Sequence, residues 1–357
     1  MLLGRSGRRN RDKMFHEYCT KCEADLTMQK GYSNDVPYWI CKGCGQMLIN
    51  PDVETEDDVA WICDGCGNML NVQPGFKEND GSFKCLCCGF VNAIDEKNLY
   101  DSEDEYQSDL MNPYRGLTDE EVLRLSSYRE EHNLDDRADI AVVTSPETGT
   151  RYVRKFLTTF DKDIYTYLKD HPVAHMPRIV ELAQSKNCLI VIEEYIEGRT
   201  VQDVIDEGGF SSGEALSIAL DVCAVLRDLH GLPTPIVHRD IKPSNILITP
   251  AGVTYLLDMD AAKWYDRAKS NDTRYIGTWE YAAPEQAGFG LKASSVKTDI
   301  YAMGILINVM LTGKIPKECK APEPYWKVIS NCISLDADAR YDVNELMGAL
   351  EELRGKD

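Results

Sequence analysis

The sequence predicts an α+β protein, with a large two-lobed C-terminal part preceded by small metal-stabilised modules. Beyond about residue 126, β-rich runs come first and helical periodicity follows, which favours two lobes. Nine of the 13 cysteines lie between Cys19 and Cys88, and 357 residues suit two or three domains. The expected boundaries are 15–50 and 58–94 for two modules, 95–117 for an acidic linker and 118–357 for the large domain.

Local patterns place the elements of the large domain in order. Thr118 and Glu121 have the spacing of a capping box, which predicts a helix beginning there. Two runs rich in β-branched and aromatic residues, 140–143 and 152–156, are joined by a turn ending at Gly149 and predict a hairpin. A further strand is predicted at 189–192, and helices at 215–230 and 299–311.

Charge and hydropathy exclude several classes of protein. With 59 acidic and 39 basic residues the formal net charge is -20, which argues against a nucleic-acid partner. The longest apolar run, 300–311, is too short to span a bilayer, and the basic segment 1–15 lacks the apolar core of a secretory signal. We therefore expect a cytoplasmic protein without a membrane association. No oligomerisation motif is evident.

Four Cys-x-x-Cys pairs begin 22 residues apart, and near-identical phrases follow Trp39 and Trp61, which indicates an internal repeat. Two such pairs can supply the four thiolates of a tetrahedral zinc site, so two structural Zn²⁺ ions in sites that resemble zinc ribbons are predicted. Equal spacing leaves the pairing open, and Cys87 lies inside the last pair as an alternative ligand. Sequential pairing is favoured, giving one site of Cys19, Cys22, Cys41 and Cys44 and another of Cys63, Cys66, Cys85 and Cys88.

The strongest motif is the segment 238–245, His-Arg-Asp-Ile-Lys-Pro-Ser-Asn, which resembles the catalytic loop of protein kinases. Further motifs follow in the order of that family: Asp-Met-Asp at 258–260, an activation-segment end at 277–285, a helix motif at 299–304, and Arg340, where the family has an Arg that pairs with the acid here at Glu285. The resemblance covers about residues 126 to 355 and implies a bilobal protein-kinase fold. The phrases 171–180 and 284–286 are similar to compact bacterial kinases.

The resemblance implies roles for five residues in transferring the γ-phosphate of ATP to a Ser or Thr hydroxyl of a protein. Asp240 would accept the hydroxyl proton, and Lys242 would contact the transferred phosphate. Thr278 accompanies Ser/Thr specificity in the family. Asn245 and Asp258 would hold Mg²⁺ through oxygen atoms.

Nucleotide binding is expected to use the upstream strands. Lys155 resembles the lysine that contacts the α and β phosphates of ATP. Asp163 is predicted as its acidic partner, while Asp161, or a helix face that only meets solvent, remain alternatives. The backbone that holds adenine is expected in a hinge formed by Glu194, Tyr195 and Ile196.

Two departures from the family pattern bear on activity. The segment 133–139, where the family has a Gly-rich loop, contains no glycine, and Asp260 replaces the Gly of Asp-Phe-Gly. Because the catalytic and metal-binding residues are kept, we expect an active kinase whose ribbons act as a targeting or regulatory module for a protein partner. The alternative is a weak or inactive kinase-like scaffold recruited through the ribbons. Autophosphorylation is expected at Thr273 or Ser270.

Overall fold

Residues 17–33, 35–50, 61–94, 108–134, 139–265, 280–286 and 294–355 are described by the computed structural model. The chain divides into two units, Met1–Asn112 and Pro113–Asp357, and this division lies inside the predicted acidic linker. Thr278, Thr273 and Ser270 lie outside the described residues, as do 135–138 of the glycine-free segment. The expectations for those positions stay predictions.

The first unit contains two small β-hairpins, each with a Cys-x-x-Cys pair at its turn. We call the module around the first four cysteines ribbon 1 and the module around the next four ribbon 2. Glycine follows the second cysteine in three pairs, and Gly45, Gly67 and Gly89 adopt φ values of 73°, 69° and 80° that favour glycine. The hairpin strands are β1 (Tyr38–Ile40) with β2 (Met47–Ile49), and β3 (Ser82–Lys84) with β4 (Val91–Ala93).

Each ribbon has its own apolar centre, and equivalent positions are 44 residues apart. Leu26 is fully buried in ribbon 1 and Leu70 is fully buried in ribbon 2. The near-identical phrases after Trp39 and Trp61 are therefore not structural equivalents. The first forms the second turn of ribbon 1, whereas the second forms the first turn of ribbon 2.

The second unit contains a five-stranded antiparallel sheet in the order β5-β6-β7-β9-β8. The predicted hairpin is confirmed, with the Ser145 amide donating to the Thr150 carbonyl at 2.9 Å. Strand β5 is wholly exposed, so it shows no alternation of apolar and polar residues that could have predicted it. The strands are β5 (Arg129–Asn133), β6 (Ile140–Thr144), β7 (Arg151–Leu157), β8 (Ile179–Gln184) and β9 (Leu189–Glu194).

Helices build most of the remaining chain, and they confirm the predicted α+β class. The capping box at Thr118 is present, because its hydroxyl accepts from the Glu121 amide while the Glu121 carboxylate accepts from the Thr118 amide. The helices are α1 (Asp119–Ser126), α2 (Lys162–Asp170), α3 (Val201–Asp206), α4 (Ser212–His230), α5 (Val296–Thr312), α6 (Tyr325–Cys332) and α7 (Val343–Arg354). Among these described helices, none has both the length and the apolar character needed to cross a membrane.

Short strands between α2 and α5 position the loops of the candidate site. The catalytic-loop segment leaves one two-stranded ladder and enters a three-stranded sheet, while the segment carrying Asp258 connects those same two sheets. The three-stranded sheet contains β10 (Arg199–Thr200), β12 (Ile246–Ile248) and β13 (Thr254–Leu256), and the ladder pairs β11 (Ile236–Val237) with β14 (Lys263–Trp264).

Candidate active site and cysteine clusters

A buried carboxylate fixes the segment 238–245 through hydrogen bonds to its backbone. Asp299, fully buried on helix α5, accepts hydrogen bonds from the backbone amides of His238 at 2.9 Å and Arg239 at 2.8 Å. The His230 ring contacts the same carboxylate at 2.8 Å. Although burial raises the pKa of Asp299, these hydrogen bonds and the His230 charge bring it below its ordinary value. The loop is therefore fixed to the most buried helix of the unit.

Two of the side chains predicted to act in catalysis, those of Lys242 and Asn245, converge on a carboxylate oxygen of a third, Asp240. The Lys242 ammonium lies 2.7 Å from Oδ2 of Asp240, and the Asn245 amide donates to the same atom at 3.1 Å. Asn245 also donates to the Asp240 carbonyl at 2.9 Å, so its amide nitrogen faces Asp240 and its side-chain oxygen is directed elsewhere. This arrangement places a carboxylate, an ammonium and an amide oxygen on one loop.

A second group of charges forms where strand β7 faces the segment 258–260. The Lys155 ammonium lies 3.0 Å from Oε1 of Glu193 on strand β9 and 3.8 Å from Oδ1 of Asp258. Although burial alone would lower the pKa of Lys155, the carboxylates of Glu193, Asp258 and Asp260 raise it above its ordinary value. The ammonium is therefore charged and enclosed by acids.

The structure does not place Asp163 beside Lys155, which corrects the predicted pairing. Asp161 caps helix α2 by accepting from the Asp163 amide at 3.1 Å, so Asp163 falls in the exposed first turn. The buried face of this helix carries Ile164, Tyr165 and Leu168 instead. The alternative of a helix face that only meets solvent describes Asp163 instead, because its side chain is exposed. The acid nearest Lys155 is Glu193, which comes from a strand.

Asp258 and Asp260 lie in very different environments although only one residue separates them. Burial and the Asp258 charge raise the pKa of Asp260 to about 8, and the Tyr165 hydroxyl donates to its Oδ1 at 2.6 Å. At Asp258 burial also acts to raise the pKa, but the Lys155 ammonium and hydrogen bonding to Asp260 lower it overall. Asp258 is therefore the ionised member of the two near neutral pH and the better candidate for a metal ligand.

Two residues of this region adopt left-handed backbone conformations although they are not glycine. Arg239 has φ of 71° and Asp258 has φ of 66°. Such conformations cost free energy and persist where surrounding contacts enforce them, commonly at functional sites. The enforcing contacts include the Asp299 hydrogen bond to the Arg239 amide and the His238 ring, which contacts the Leu257 carbonyl at 3.1 Å.

The predicted hinge follows the end of strand β9. Glu194 is the last residue of the strand, and its amide donates to the Arg178 carbonyl at 2.9 Å. Tyr195 and Ile196 come next and are half-buried, with the Arg151 guanidinium 4.5 Å from the Tyr195 ring centre. The Glu194 amide therefore has a backbone partner, while its carbonyl and the backbone of Tyr195 and Ile196 stay the predicted contacts for a base.

The Arg–Glu pair expected behind the activation segment is present. Arg340 donates from its two terminal nitrogens to the two carboxylate oxygens of Glu285 at 2.7 and 2.9 Å. The Arg340 side chain is fully buried, and its remaining donors contact the carbonyls of Ser334 and Lys297. This pair joins the segment 280–286 to the start of helix α5.

In the first unit the eight predicted zinc ligands form two groups, in the sequential order favoured above. Close sulfur pairs are Cys19–Cys44 at 3.5 Å and Cys22–Cys41 at 3.7 Å in ribbon 1, and Cys63–Cys88 at 3.6 Å and Cys66–Cys85 at 3.7 Å in ribbon 2. Zn–S bonds of about 2.3 Å in a tetrahedron put sulfur atoms about 3.8 Å apart. These spacings therefore fit Zn²⁺, and Cys87 is not a member of either group.

A glutamine supports each cluster at the equivalent position. The amide nitrogens of Gln29 and Gln73 contact the sulfurs of Cys41 and Cys85, each at 3.5 Å. The Gln29 hydrogen bond lowers the pKa of Cys41 to about 6. Burial acts to raise the pKa of Cys85, but backbone amides and Gln73 lower it to about 7. These contacts favour the thiolate form that binds metal.

Sequence reasoning missed the contacts that three residues make in this region. Glu193 lies between the predicted strand 189–192 and the predicted hinge, and the register that brings it to Lys155 is a property of the folded sheet. Tyr165 is buried on helix α2, and no local pattern indicated that its hydroxyl contacts Asp260. Asp299 was predicted within the helix motif 299–304, and an acid next to the apolar run that follows it was a signal that the carboxylate needs partners.

The sequence is similar to known protein kinases over a large part of its length. The family model described as "Protein kinase domain" matches residues 161–348, just over half of the chain. A probable serine/threonine-protein kinase, PknB, from Corynebacterium glutamicum is 36% identical over 136 residues, covering 37% of this chain and 20% of the relative. Serine/threonine-protein kinase PrkC from Bacillus subtilis is 36% identical over 149 residues, covering 41% of this chain and 22% of the relative.

The match to the family model begins at residue 161, just before helix α2, and includes the catalytic loop, the segment 258–260 and helix α5. The matched segments span about a fifth of the length of the curated relatives. The similarity to bacterial Ser/Thr kinases that the sequence motifs indicated is thus confirmed. Since the family model matches more than half of its residues, the chain belongs to the protein kinase family.

Proposed function

We propose that the protein is a Ser/Thr protein kinase that transfers the γ-phosphate of ATP to hydroxyl groups of proteins. The observation that carries this proposal is the convergence of Lys242 and Asn245 on Oδ2 of Asp240. Phosphoryl transfer requires positioning and charge neutralisation more than covalent participation by the enzyme. A loop fixed by a buried carboxylate supplies such positioning.

Asp240 is proposed to orient the substrate hydroxyl and accept its proton as the phosphate is transferred. Lys242, 2.7 Å from that carboxylate, would contact the same phosphate and offset the negative charge of the phosphate. Lysine at this position agrees with Ser/Thr rather than Tyr specificity in the resembled family. The two relatives described above are also Ser/Thr kinases by their names.

ATP and Mg²⁺ are the proposed cofactors. Lys155 would bind the α and β phosphates, and the backbone of Glu194, Tyr195 and Ile196 would contact the adenine. The Asp258 carboxylate and the side-chain oxygen of Asn245 suit Mg²⁺, which prefers oxygen ligands. When bound, the metal neutralises charge on the phosphate oxygens.

The two cysteine clusters are proposed to hold structural Zn²⁺ ions. All 13 cysteines are unpaired by disulfides, which fits a reducing cytoplasm. All four positions of each tetrahedron are filled by protein sulfur, so a catalytic role for these ions is not proposed. We propose instead that the ribbons recruit a protein, either a substrate or a regulator.

The test is phosphate transfer from radiolabelled MgATP to a generic Ser/Thr substrate by the purified full chain. Asp240→Asn keeps the shape of the side chain but removes the carboxylate, and its activity should fall by at least about 100-fold, the size of a lost general base. Asp228→Asn, at an exposed position on helix α4, is the matched control and should keep wild-type activity.

Label that is present with wild type and Asp228→Asn but absent with Asp240→Asn would establish that the protein is an active kinase. Equal label in wild type and Asp240→Asn would show that a contaminant is responsible. No label in a folded wild-type protein would favour the alternative function, a kinase-like scaffold recruited through its ribbons.

A further inference from the structure

The partner of Lys155 is the feature in which this site differs most from the expectation. The Lys155 side chain is 7% exposed and that of Glu193 is 11% exposed, with 3.0 Å between the charged atoms. A buried ammonium at this distance from a carboxylate is held firmly, because few alternative positions would leave it paired. Asp258 lies farther away, at 3.8 Å.

Strand register explains how Glu193 reaches the lysine. Strands β7 and β9 are antiparallel neighbours in which Val153 lies opposite Glu193 and Lys155 lies opposite Val191. Side chains two residues apart share a face of a sheet, so Glu193 and Lys155 are diagonal neighbours on the same face. Strand β9 lies between β7 and β8, so backbone hydrogen bonds on both sides fix the segment of main chain that carries Glu193.

Helix α2 makes a different contribution to the site. Its first-turn acid, Asp163, is exposed, and the contact that the helix makes with the charged group is the hydrogen bond from Tyr165 to Asp260. The helix therefore contacts the segment 258–260, which carries the proposed Mg²⁺ ligand Asp258, while the sheet positions Lys155.

We propose that Glu193 is the positioning residue for Lys155, so that the phosphate-binding lysine is fixed by the sheet and does not depend on the position of helix α2. This inference rests on the proposed function, because it assigns the lysine to nucleotide phosphate. Glu193 also keeps the ammonium 3.8 Å from Asp258, which leaves that carboxylate for Mg²⁺. Without Glu193, the ammonium would move closer to Asp258 and compete with the metal.

The test compares MgADP affinity, measured by isothermal titration calorimetry, across acid-to-amide variants of the full chain. Glu193→Gln should raise the Kd at least tenfold and should also raise the Mg²⁺ concentration needed for half-maximal ADP binding. Asp163→Asn should change the Kd less than twofold, since its carboxylate is exposed on helix α2. Asp170→Asn, at the exposed end of the same helix, is the matched control.

A double-mutant cycle shows whether Glu193 acts through the lysine. Lys155→Met combined with Glu193→Gln should bind MgADP no more weakly than Lys155→Met alone. Additive losses would overturn the proposal, because they would mean that Glu193 affects binding independently. Wild-type affinity in Glu193→Gln, or a larger loss in Asp163→Asn, would overturn it as well.

Binding and turnover separate this inference from the proposed function. A wild-type protein that binds MgADP but transfers no phosphate overturns the proposed function, while the ranking of the variants still tests Glu193. A folded wild-type protein that binds no MgADP overturns the inference itself. If Glu193→Gln does not fold, Glu193→Asp retains the charge with a shorter reach and should give an intermediate Kd, whereas a wild-type Kd would contradict the proposal.

Discussion

At the scale of single residues, the kinase unit depends on acids that lie inside it and are matched by donors. Asp299 accepts hydrogen bonds from the catalytic loop, and Glu193 contacts Lys155. Glu285 accepts hydrogen bonds from both terminal nitrogens of Arg340. Removing one member of such a pair leaves the other buried and uncompensated, which is more costly than losing an exposed pair. The strongest mutational effects on stability are therefore expected at these positions.

The Arg340–Glu285 pair gives a prediction about stability and pH. Glu285→Gln should lower the free energy of unfolding at pH 7 by about 3–5 kcal/mol, the range for a broken buried pair. Burial acts to raise the pKa of Glu285, but hydrogen bonds and the charge of Arg340 bring it below its ordinary value of 4.5 in the folded protein. A carboxylate whose pKa is lowered by folding stabilises the folded protein at pH values above its pKa in the unfolded chain. This contribution is lost as the pH falls and the carboxylate becomes protonated.

The difference between wild type and Glu285→Gln should therefore be constant above about pH 5 and shrink as pH falls below about 4.5. Denaturant unfolding followed by circular dichroism at a series of pH values measures it. Glu351→Gln, on the exposed face of helix α7, is a control that should match wild type throughout. A difference that stays constant down to pH 3 would show that the Glu285 charge is not the cause.

At the scale of elements, the short hairpins of the ribbons need stabilising interactions beyond those between their own strands. Strands of three residues bury little apolar surface, and each ribbon has a small core around Leu26 or Leu70. Metal binding supplies the missing stabilisation in such small modules. The similarity between the two ribbons, at a spacing of 44 residues, includes the glutamines whose amides contact Cys41 and Cys85. Both ribbons therefore use the same hydrogen bond to a cysteine sulfur.

The cluster geometry predicts two zinc ions per chain, measured by inductively coupled plasma mass spectrometry on purified protein. Cys63→Ser removes a ligand of ribbon 2 and should lower the content to one ion. Cys87→Ser changes a neighbouring thiol that is outside the cluster and should keep two. Retention of two ions in Cys63→Ser, together with a loss in Cys87→Ser, would show that Cys87 is the ligand instead.

At the scale of the whole molecule, the chain consists of two units with separate hydrophobic cores. The cores of the first unit surround the cysteine clusters, and the large core of the second unit runs through helices α4, α5 and α7. Units without a shared core unfold as separate cooperative transitions.

Scanning calorimetry of the full chain should therefore show two transitions that respond to different ligands. A zinc chelator should lower or abolish the transition of the first unit, whereas MgADP should raise the melting temperature of the second because it binds only the folded kinase unit. The Cys63→Ser variant should shift the first transition alone. A single transition that moves with both additives would contradict this prediction.

The sequence by itself determined the family, the principal strands and helices, and the identity of the catalytic loop. These features are local, because Cys-x-x-Cys spacing, the capping box at Thr118 and the motif at 238–245 all lie within a few consecutive residues. Such patterns depend on turn geometry and on the chemistry of single side chains, so they can be identified without the fold.

Only the tertiary structure decided which distant residues meet. It grouped the cysteines in sequential order, which equal spacing could not do, and it replaced Asp163 by Glu193 as the neighbour of Lys155. Contacts of this kind depend on strand register and on where a helix begins, and a shift of one residue reverses the face on which a strand side chain lies. The partner of Lys155 is thus set by the register of β7 against β9, which no local pattern encodes.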